Sequence, residues 1–329
     1  MPGMNKFSEL SSAEGRDEHF RLLMQEWEVL NERAKHELIY EKVLCPLECS
    51  SQSELLFVKK ESLFVRCPDC DIVYLSPQLT ESVLAEHFAL SPAWEVWAKA
   101  VLSTRGQQDI DREKYLTGIN TIKRCHPNAR SILDIGANSG FFLSLAQKAG
   151  LEVSGVEPSQ AACEVAERLH ELKPFNGRFC EFPANENSFD VITFWASLEY
   201  HKDPMGALQK AVGLLKPKGL LLIFVSGNAN SLVMRMLRER CVGFLFNRPW
   251  YFSPLSLDRF VSHVDQRVSL RERYSQIDCL DVIERYLNYG DPYGKSSPQF
   301  FSQEERLMLS GIIDKNHMGY KFFSLYQKV

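Results

Sequence analysis

No apolar run in this chain approaches the ~18 residues needed to cross a bilayer, which argues against a membrane-spanning helix. Basic charge is not in excess either. The 38 Lys and Arg stand against 42 Asp and Glu, giving a net charge of −4 and a pI of about 6.1. Such a surface has little to attract a phosphate backbone, so nucleic acid is not the expected substrate. The opening residues, MPGMNKFSELSSAEGRDEHF, contain no apolar signal core, and the expected location is the cytoplasm. In that reducing setting the nine cysteines are not read as disulfides. Internal repeats and low-complexity segments are also lacking. The remainder is ordinary globular sequence, 45% hydrophobic and 24% charged. Its 329 residues suffice for two domains, or for one large domain with an appendage.

The stretch SILDIGANSGFFL, from Ser131 to Leu143, organises the chain. Branched apolar residues lead into Asp134, then Gly136, Gly140 and a helical apolar pattern. This spacing predicts a buried strand, a tight glycine turn and a helix whose unpaired N–H groups open onto the turn. The next apolar run, LEVSGVE, ends in Glu157, where a nucleotide-binding sheet places an acid to take two ribose hydroxyls. The dinucleotide fingerprint G-x-G-x-x-G is missing. The pattern is D-x-G-x-x-x-G, with Asn138 where a middle glycine might stand.

Asp134 before the first glycine, Glu157 after the second strand, FDVITFWASLEY as a fourth strand and LLKPKGLLLIFVS as a fifth resemble the class I S-adenosylmethionine-dependent methyltransferases. The likeness covers about Ser131 to Ser226 well and the C-terminus weakly. It implies an α/β, Rossmann-like, seven-stranded and mostly parallel sheet with helices on both faces. The sixth and seventh strands would be Val268–Tyr274 and Tyr320–Gln327, the last antiparallel. It also implies S-adenosylmethionine as cofactor. Asp134, Gly136, Ala137, Asn138, Gly140 and Phe141 would form its loop, and Glu157 would hold the ribose. Trp195, Ala196, Ser197 and Leu198 would line the methionine side. Relatives often carry an aspartate for the adenine amino group near a third strand, expected here over Phe175–Phe182. This chain has Arg178, which cannot accept a hydrogen bond. Adenine is then expected to meet backbone groups and apolar contacts from Pro158 and Phe179.

Relatives often read Leu-Glu-His after the fourth strand, whereas this chain reads Leu198-Glu199-Tyr200-His201. That loop faces the ligand crevice. His201 is either a general base, with Tyr200 orienting a hydroxyl, or both residues wall the pocket. Trp94 and Trp97, on helices expected over 80–127, either cover a ligand as a lid or serve as core. Phe244, Phe246, Trp250, Tyr251 and Phe252 fall in a segment, 227–265, expected to face substrate, and form either an aromatic wall for a ring-shaped substrate or a plain packing cluster. The loop YLNYGDPYGKSSPQFFS is a further candidate for approaching it.

Upstream, residues 14–40 read as one amphipathic helix, with Phe20, Leu23, Trp27, Leu30 and Ala34 on one face. It would pack on the main body or on a partner chain. Over 41–79, the pairs Cys45/Cys49 and Cys67/Cys70 flank a strand-like hairpin, and four thiolates at that spacing suit structural zinc. The segment resembles the zinc-binding ribbon on one branch of the same methyltransferases. That branch commonly acts on small molecules, including sugars, and here Asp71 replaces its usual glycine. The expectation is therefore methyl transfer to an oxygen or carbon of a small molecule, a sugar or glycan intermediate being one class. The methyltransferase domain would span 128–329, and the oligomer considered is a homodimer. Two other readings stay open. One is a non-catalytic methyltransferase-like scaffold, kept alive by Asn138, Arg178 and Tyr200. The other is a nicotinamide-dependent oxidoreductase.

Overall fold

The computed structural model of the chain describes residues 13–49, 52–276, 279–289 and 300–329. Most of the candidate loop YLNYGDPYGKSSPQFFS lies outside them. A seven-stranded sheet is formed by β1 (Ser131–Ile135), β2 (Glu152–Glu157), β3 (Phe175–Asn176), β4 (Phe189–Trp195), β5 (Leu215–Val225), β6 (Val268–Gln276) and β7 (Lys321–Lys328). The spatial order is β6-β7-β5-β4-β1-β2-β3. All neighbours pair in parallel except β7, which runs antiparallel to both β5 and β6.

The strands read as continuous apolar runs because both faces are covered. Side chains alternate across the sheet with period two. Leu221, Ile223 and Val225 join Leu133, Ile135 and Ile192 in one core, under helices Pro204–Leu214 and Pro254–Val264. Leu220, Leu222 and Phe224 face the other way with Ile132 and Val191, under helices Arg105–Cys125 and Phe141–Lys148. Fully burying such a side chain contributes roughly 1.5–3 kcal/mol.

Two expected elements are shorter than the sequence pattern suggests. The first helix runs from Ala13 to Arg33 and stops well before residue 40. Leu23, Trp27 and Leu30 are buried, but Leu38 is almost wholly exposed. The chain turns so that Ile39 enters the same core and Tyr40 pairs with Leu79. The third strand is two residues long. After Asn176 the backbone coils into a 3-10 turn, Phe179–Glu181, because Glu181 accepts from the Arg178 backbone N–H at 3.0 Å and from its Nε at 2.9 Å.

The cysteine ribbon is not a free appendage. Strands Glu54–Lys59, Ser62–Arg66 and Val73–Leu75 form an antiparallel sheet, and Trp250–Tyr251 adds a fourth strand from the segment after β5. Val65, Ile72 and Tyr74 share one core with the main sheet and Trp250. A ribbon this small has too little core of its own; here the seven-stranded sheet supplies it. Among the described residues no helix is long and apolar enough to cross a membrane.

Candidate functional site

A cavity of about 550 Å³ opens beyond the carboxyl ends of β1, β2, β4 and β5. This is the point where the strand order reverses, between β1 and β4, and where open α/β sheets hold ligands. The cavity has two chemically different ends.

The glycine-loop end is built by consecutive strand-to-helix turns. Gly136 has φ +82°, and a Cβ there would lie 2.5 Å from that of Ser197. Asn138 also takes a left-handed conformation, φ 45°, which Asn tolerates better than most residues. The missing middle glycine thus leaves the turn intact. Gly140 starts the helix at φ +73°, where a Cβ would press on Ala166 at 2.9 Å. Gly140 shapes the turn but does not line the cavity. The Glu157 carboxylate accepts from the Asn138 N–H at 2.8 Å and the Ser159 N–H at 2.9 Å, so the second strand's acid fastens the first strand's loop. Asp134 accepts from the Thr193 hydroxyl at 2.7 Å. Burial pushes both acids up, each to about 7. The Asn138 Oδ1 and Trp195 Nε1 are buried there without a hydrogen-bond partner.

Ala137, Phe141, Pro158, Phe179, Trp195, Ala196 and Ser197 line the same cavity. Leu198 does not: it is fully buried in the core beneath, among Ile223 and Val225. The chain leaves β4 through Ala196, φ 56°, and a 3-10 turn that directs Leu198 downward and Tyr200 into the cavity. Arg178 sits at the rim and pairs with Glu81 of helix Glu81–Leu90 at 2.8 Å, tying that helix to the edge of the sheet.

The aromatic end draws on four distant segments. Phe88 and Trp94 meet the Tyr200 ring edge-on, with centroids 5.6 and 5.7 Å away. Arg248 lies over the Tyr200 ring at 5.1 Å and donates to its hydroxyl from Nη2 at 2.7 Å and Nε at 3.2 Å. Trp97, Leu245 and Lys321 complete the wall. The His87 Nε2 accepts from Trp94 Nε1 (3.2 Å) and Asn247 Nδ2 (2.9 Å), so its proton is assigned to Nδ1, facing Glu26. One imidazole thereby joins the first helix, the tryptophan helix and the Arg248 segment.

Of the two readings open for His201, base or wall, its surroundings favour the wall. Its ring packs on Phe194 and Phe179, with centroids at 5.8 and 6.3 Å, and burial pushes it down to about 4. Such an imidazole is neutral at physiological pH and a weak proton acceptor. Arg248 and Lys321 were not singled out by the sequence reading. Arg248 had a faint signal, a lone cation inside the aromatic run FLFNRPWYF, whereas nothing marks Lys321 before β7 is placed.

A second constellation lies in the ribbon. The Sγ atoms of Cys45, Cys49, Cys67 and Cys70 all fall within 4.8 Å of one another. Asp71 fills the usual glycine position at φ 68°, and its carboxylate is held by Arg66. Crowding shifts the thiols apart. Cys45 is pushed down to about 5, chiefly by hydrogen bonding from Cys70, and Cys49 is pushed up to about 12, chiefly by burial.

Comparison with known proteins agrees with this geometry. The sequence model of a methyltransferase domain matches residues 108–288, more than half of the chain. The mitochondrial ubiquinone biosynthesis O-methyltransferase of Schizosaccharomyces pombe is 28% identical over 177 residues, which is 50% of this chain and 62% of that protein. The ubiquinone biosynthesis O-methyltransferase of Alkalilimnicola ehrlichii is 30% identical over 149 residues, 41% of this chain and 60% of that protein. The chain thus spans less than two thirds of these relatives' length. Among solved structures, a chain from the complex of the Haloferax volcanii Trm112 methyltransferase activator with a methyltransferase superimposes with a TM-score of 0.50 at 14% identity. That match covers 71% of this chain and 97% of the other, and it speaks for the fold alone. Strand order, glycine turn and matched sequence converge: the chain belongs to the class I methyltransferase-domain family.

Proposed function

We propose that the chain transfers a methyl group from S-adenosylmethionine to an oxygen of a small, ring-shaped acceptor. The observation that carries this reading is the single cavity in which the Glu157-fastened glycine loop and the aromatic end face a common space. The residues present fit the cofactor. Glu157 lies at the end of β2, where it would accept from ribose hydroxyls. Buried Asp134, which itself forms no ion pair among the described residues, would face the cofactor's positive end. Unpartnered Asn138 Oδ1 and Trp195 Nε1 offer an acceptor and a donor. Pro158 and Phe179 supply apolar contact for adenine.

When bound, S-adenosylmethionine supplies an electrophilic methyl on a sulfonium. The protein's share is then mostly positioning. Tyr200 is anchored by Arg248 through its oxygen, which leaves its O–H proton free to donate toward the acceptor. His201 forms wall rather than base. A concave space of this volume favours a small molecule over a polymer, and the O-methyltransferase names of the matched relatives favour oxygen as the nucleophile.

The cysteine quartet is read as a structural zinc site. A tetrahedron of Zn–S bonds of about 2.3 Å has edges near ~3.8 Å, which suits four sulfurs within 4.8 Å. Four thiolates leave no open position for catalysis. Elemental analysis is expected to give one zinc per chain.

The deciding experiment is calorimetric titration with S-adenosylmethionine and S-adenosylhomocysteine, beside a Glu157→Ala variant. Micromolar binding by the wild type that is lost in the variant is expected. A folded, zinc-loaded protein that binds neither ligand overturns the assignment and leaves the scaffold reading.

A further inference from the structure

Arg248 is 7% exposed, yet no carboxylate lies within ion-pair distance of it among the described residues. Its partners are the Tyr200 hydroxyl, reached from Nε and Nη2, and the Gly243 carbonyl, reached from Nη1 at 3.3 Å. A guanidinium has five N–H donors. Three are used, which leaves one on each terminal nitrogen, the pair that a carboxylate takes in a bidentate bond. Buried Glu199 supports the Arg248 charge from beyond ion-pair distance, but no carboxylate takes the spare N–H pair, and a buried cation left so is costly; this one lines the cavity.

Lys321 lines the same end, and its ammonium makes no hydrogen bond or ion pair among the described residues. It is placed by a rigid device. Buried Asn228 donates from Nδ2 to the carbonyls of His317 and Gly319, both at 2.8 Å, and its backbone N–H bonds the Tyr320 carbonyl at 3.0 Å. The turn before β7 is thereby pinned to the end of β5. The other cations lining the cavity are committed elsewhere: Lys114 to Asp111 at 2.7 Å, Arg178 to Glu81 and Lys202 to Glu41, both at 2.8 Å, and Lys210 to the carbonyls of Phe179, Cys180 and Phe182.

We infer that the methyl acceptor carries a carboxylate, bound between Arg248 and Lys321 at the aromatic end of the cavity. The acceptor is thus an aromatic or comparably flat acid whose ring lies among Phe88, Trp94 and Tyr200, with its hydroxyl directed toward the glycine-loop end. Burial, together with Lys114 and Arg248, opposes the Lys321 charge and holds it down to about 8, against Asp111, which supports it; Arg16 adds to the opposing set. A bound carboxylate would add a counter-charge in direct contact with both cations, where Asp111 and Glu199 act only at a distance. The inference rests on the cavity being the acceptor site of the methyltransferase proposed above.

The test measures benzoate and its neutral isostere benzamide by calorimetry, on the full chain with and without S-adenosylhomocysteine. Benzoate is expected to bind about tenfold tighter than benzamide, as charge-assisted bonds warrant. The preference should vanish in Arg248→Gln and shrink in Lys321→Met. Because Arg248 is buried, the Lys321 variant and its partial rescue by Lys321→Arg keep the test independent of folding. Benzoate affinity should also fall as pH rises above about 8 in the wild type and not in Lys321→Met. Equal binding of acid and amide, or binding of neither by a protein that binds S-adenosylhomocysteine, overturns the inference. Loss of S-adenosylhomocysteine binding itself strikes the cofactor assignment instead, and the titration without it reads the carboxylate site separately.

Discussion

The two ends of the cavity are made in opposite ways. The glycine-loop end takes its loop from one continuous stretch, since β1, its turn, β2 and the acid that closes it all fall between Ser131 and Ser159, and β4 only backs it through Thr193, Trp195 and Ser197. Its constraints are backbone constraints, a Cβ that cannot fit at Gly136 and a carboxylate that bonds two N–H groups. The aromatic end comes from Phe88 and Trp94, Tyr200, Arg248 and Lys321, which meet only after the whole sheet is assembled. Its constraints are side-chain constraints, made of ring contacts and one buried cation. Chemistry shared by relatives of a fold can be written locally; chemistry particular to one acceptor is spread over whichever segments reach the space.

This contrast can be broken or sharpened by experiment. The largest effect is expected at Gly136→Ala, where both φ +82° and the 2.5 Å approach to Ser197 oppose a methyl group. Displacing a positioned group by about 1 Å costs on the order of 100-fold in rate, and S-adenosylhomocysteine titration should show a comparable loss while benzoate binding persists. If benzoate binding collapses too, the ends are not separable.

Chelation of the cysteine site should act the other way. The ribbon strand Val73–Leu75 pairs with Trp250–Tyr251, two residues past Arg248. A dipicolinate or phenanthroline treatment that strips zinc is expected to weaken benzoate more than S-adenosylhomocysteine, compared by paired titrations. The reverse ranking would place the ribbon's influence on the wrong end.

Glu157→Gln keeps the shape of the side chain and removes its charge. A loss of cofactor affinity of about tenfold is expected, smaller than at Gly136 because the loop bonds partly survive. An unchanged affinity would remove Glu157 from the ribose contact.

The pH response follows from the two raised acids. Asp134 and Glu157 titrate near about 7 in the folded chain, above their unfolded values. Their protonated forms favour the folded state, so ligand-free stability is fullest below the unfolded values and declines as pH rises through about 7. Their ionised forms favour a cationic, hydroxyl-bearing ligand, so S-adenosylmethionine affinity should climb over the same window. Thermal melts with and without ligand should therefore diverge from pH about 5 to about 8; a constant difference would contradict the buried-acid account. The smallest effect is predicted at His201→Ala. A general base is worth about 100-fold or more in rate, whereas removing a wall residue should alter kcat only a few-fold.

The same contrast sets what the sequence made legible. Continuous apolar runs, Gly136 and Gly140, Glu157 at the end of the second run and the closing strands give the sheet and the loop, because each is a short-range pattern. The end of the first helix was not legible, because Ala34 continues the apolar spacing and only the pairing of Tyr40 with Leu79 draws the chain away. The third strand shrank for a reason visible only in side-chain geometry, the Arg178–Glu181 turn. The family resemblance puts Leu198 on the methionine side with Ser197, but the 3-10 turn rotates it into the core. Lys321 carries no local signature at all.

The Trp250–Tyr251 strand has a consequence for how this protein can be remade. Trp250 donates from Nε1 to the His201 carbonyl at 2.8 Å, while its backbone extends the ribbon sheet beside Tyr74. One dipeptide therefore belongs to two modules at once. A chimera that exchanges only the segment after β5, to import another acceptor preference, inherits an unmatched ribbon edge. One that exchanges only the ribbon inherits an unsupported Arg248. Recombination between such proteins is expected to succeed when residues 41–79 and 241–253 travel together, although some 160 residues of chain separate them.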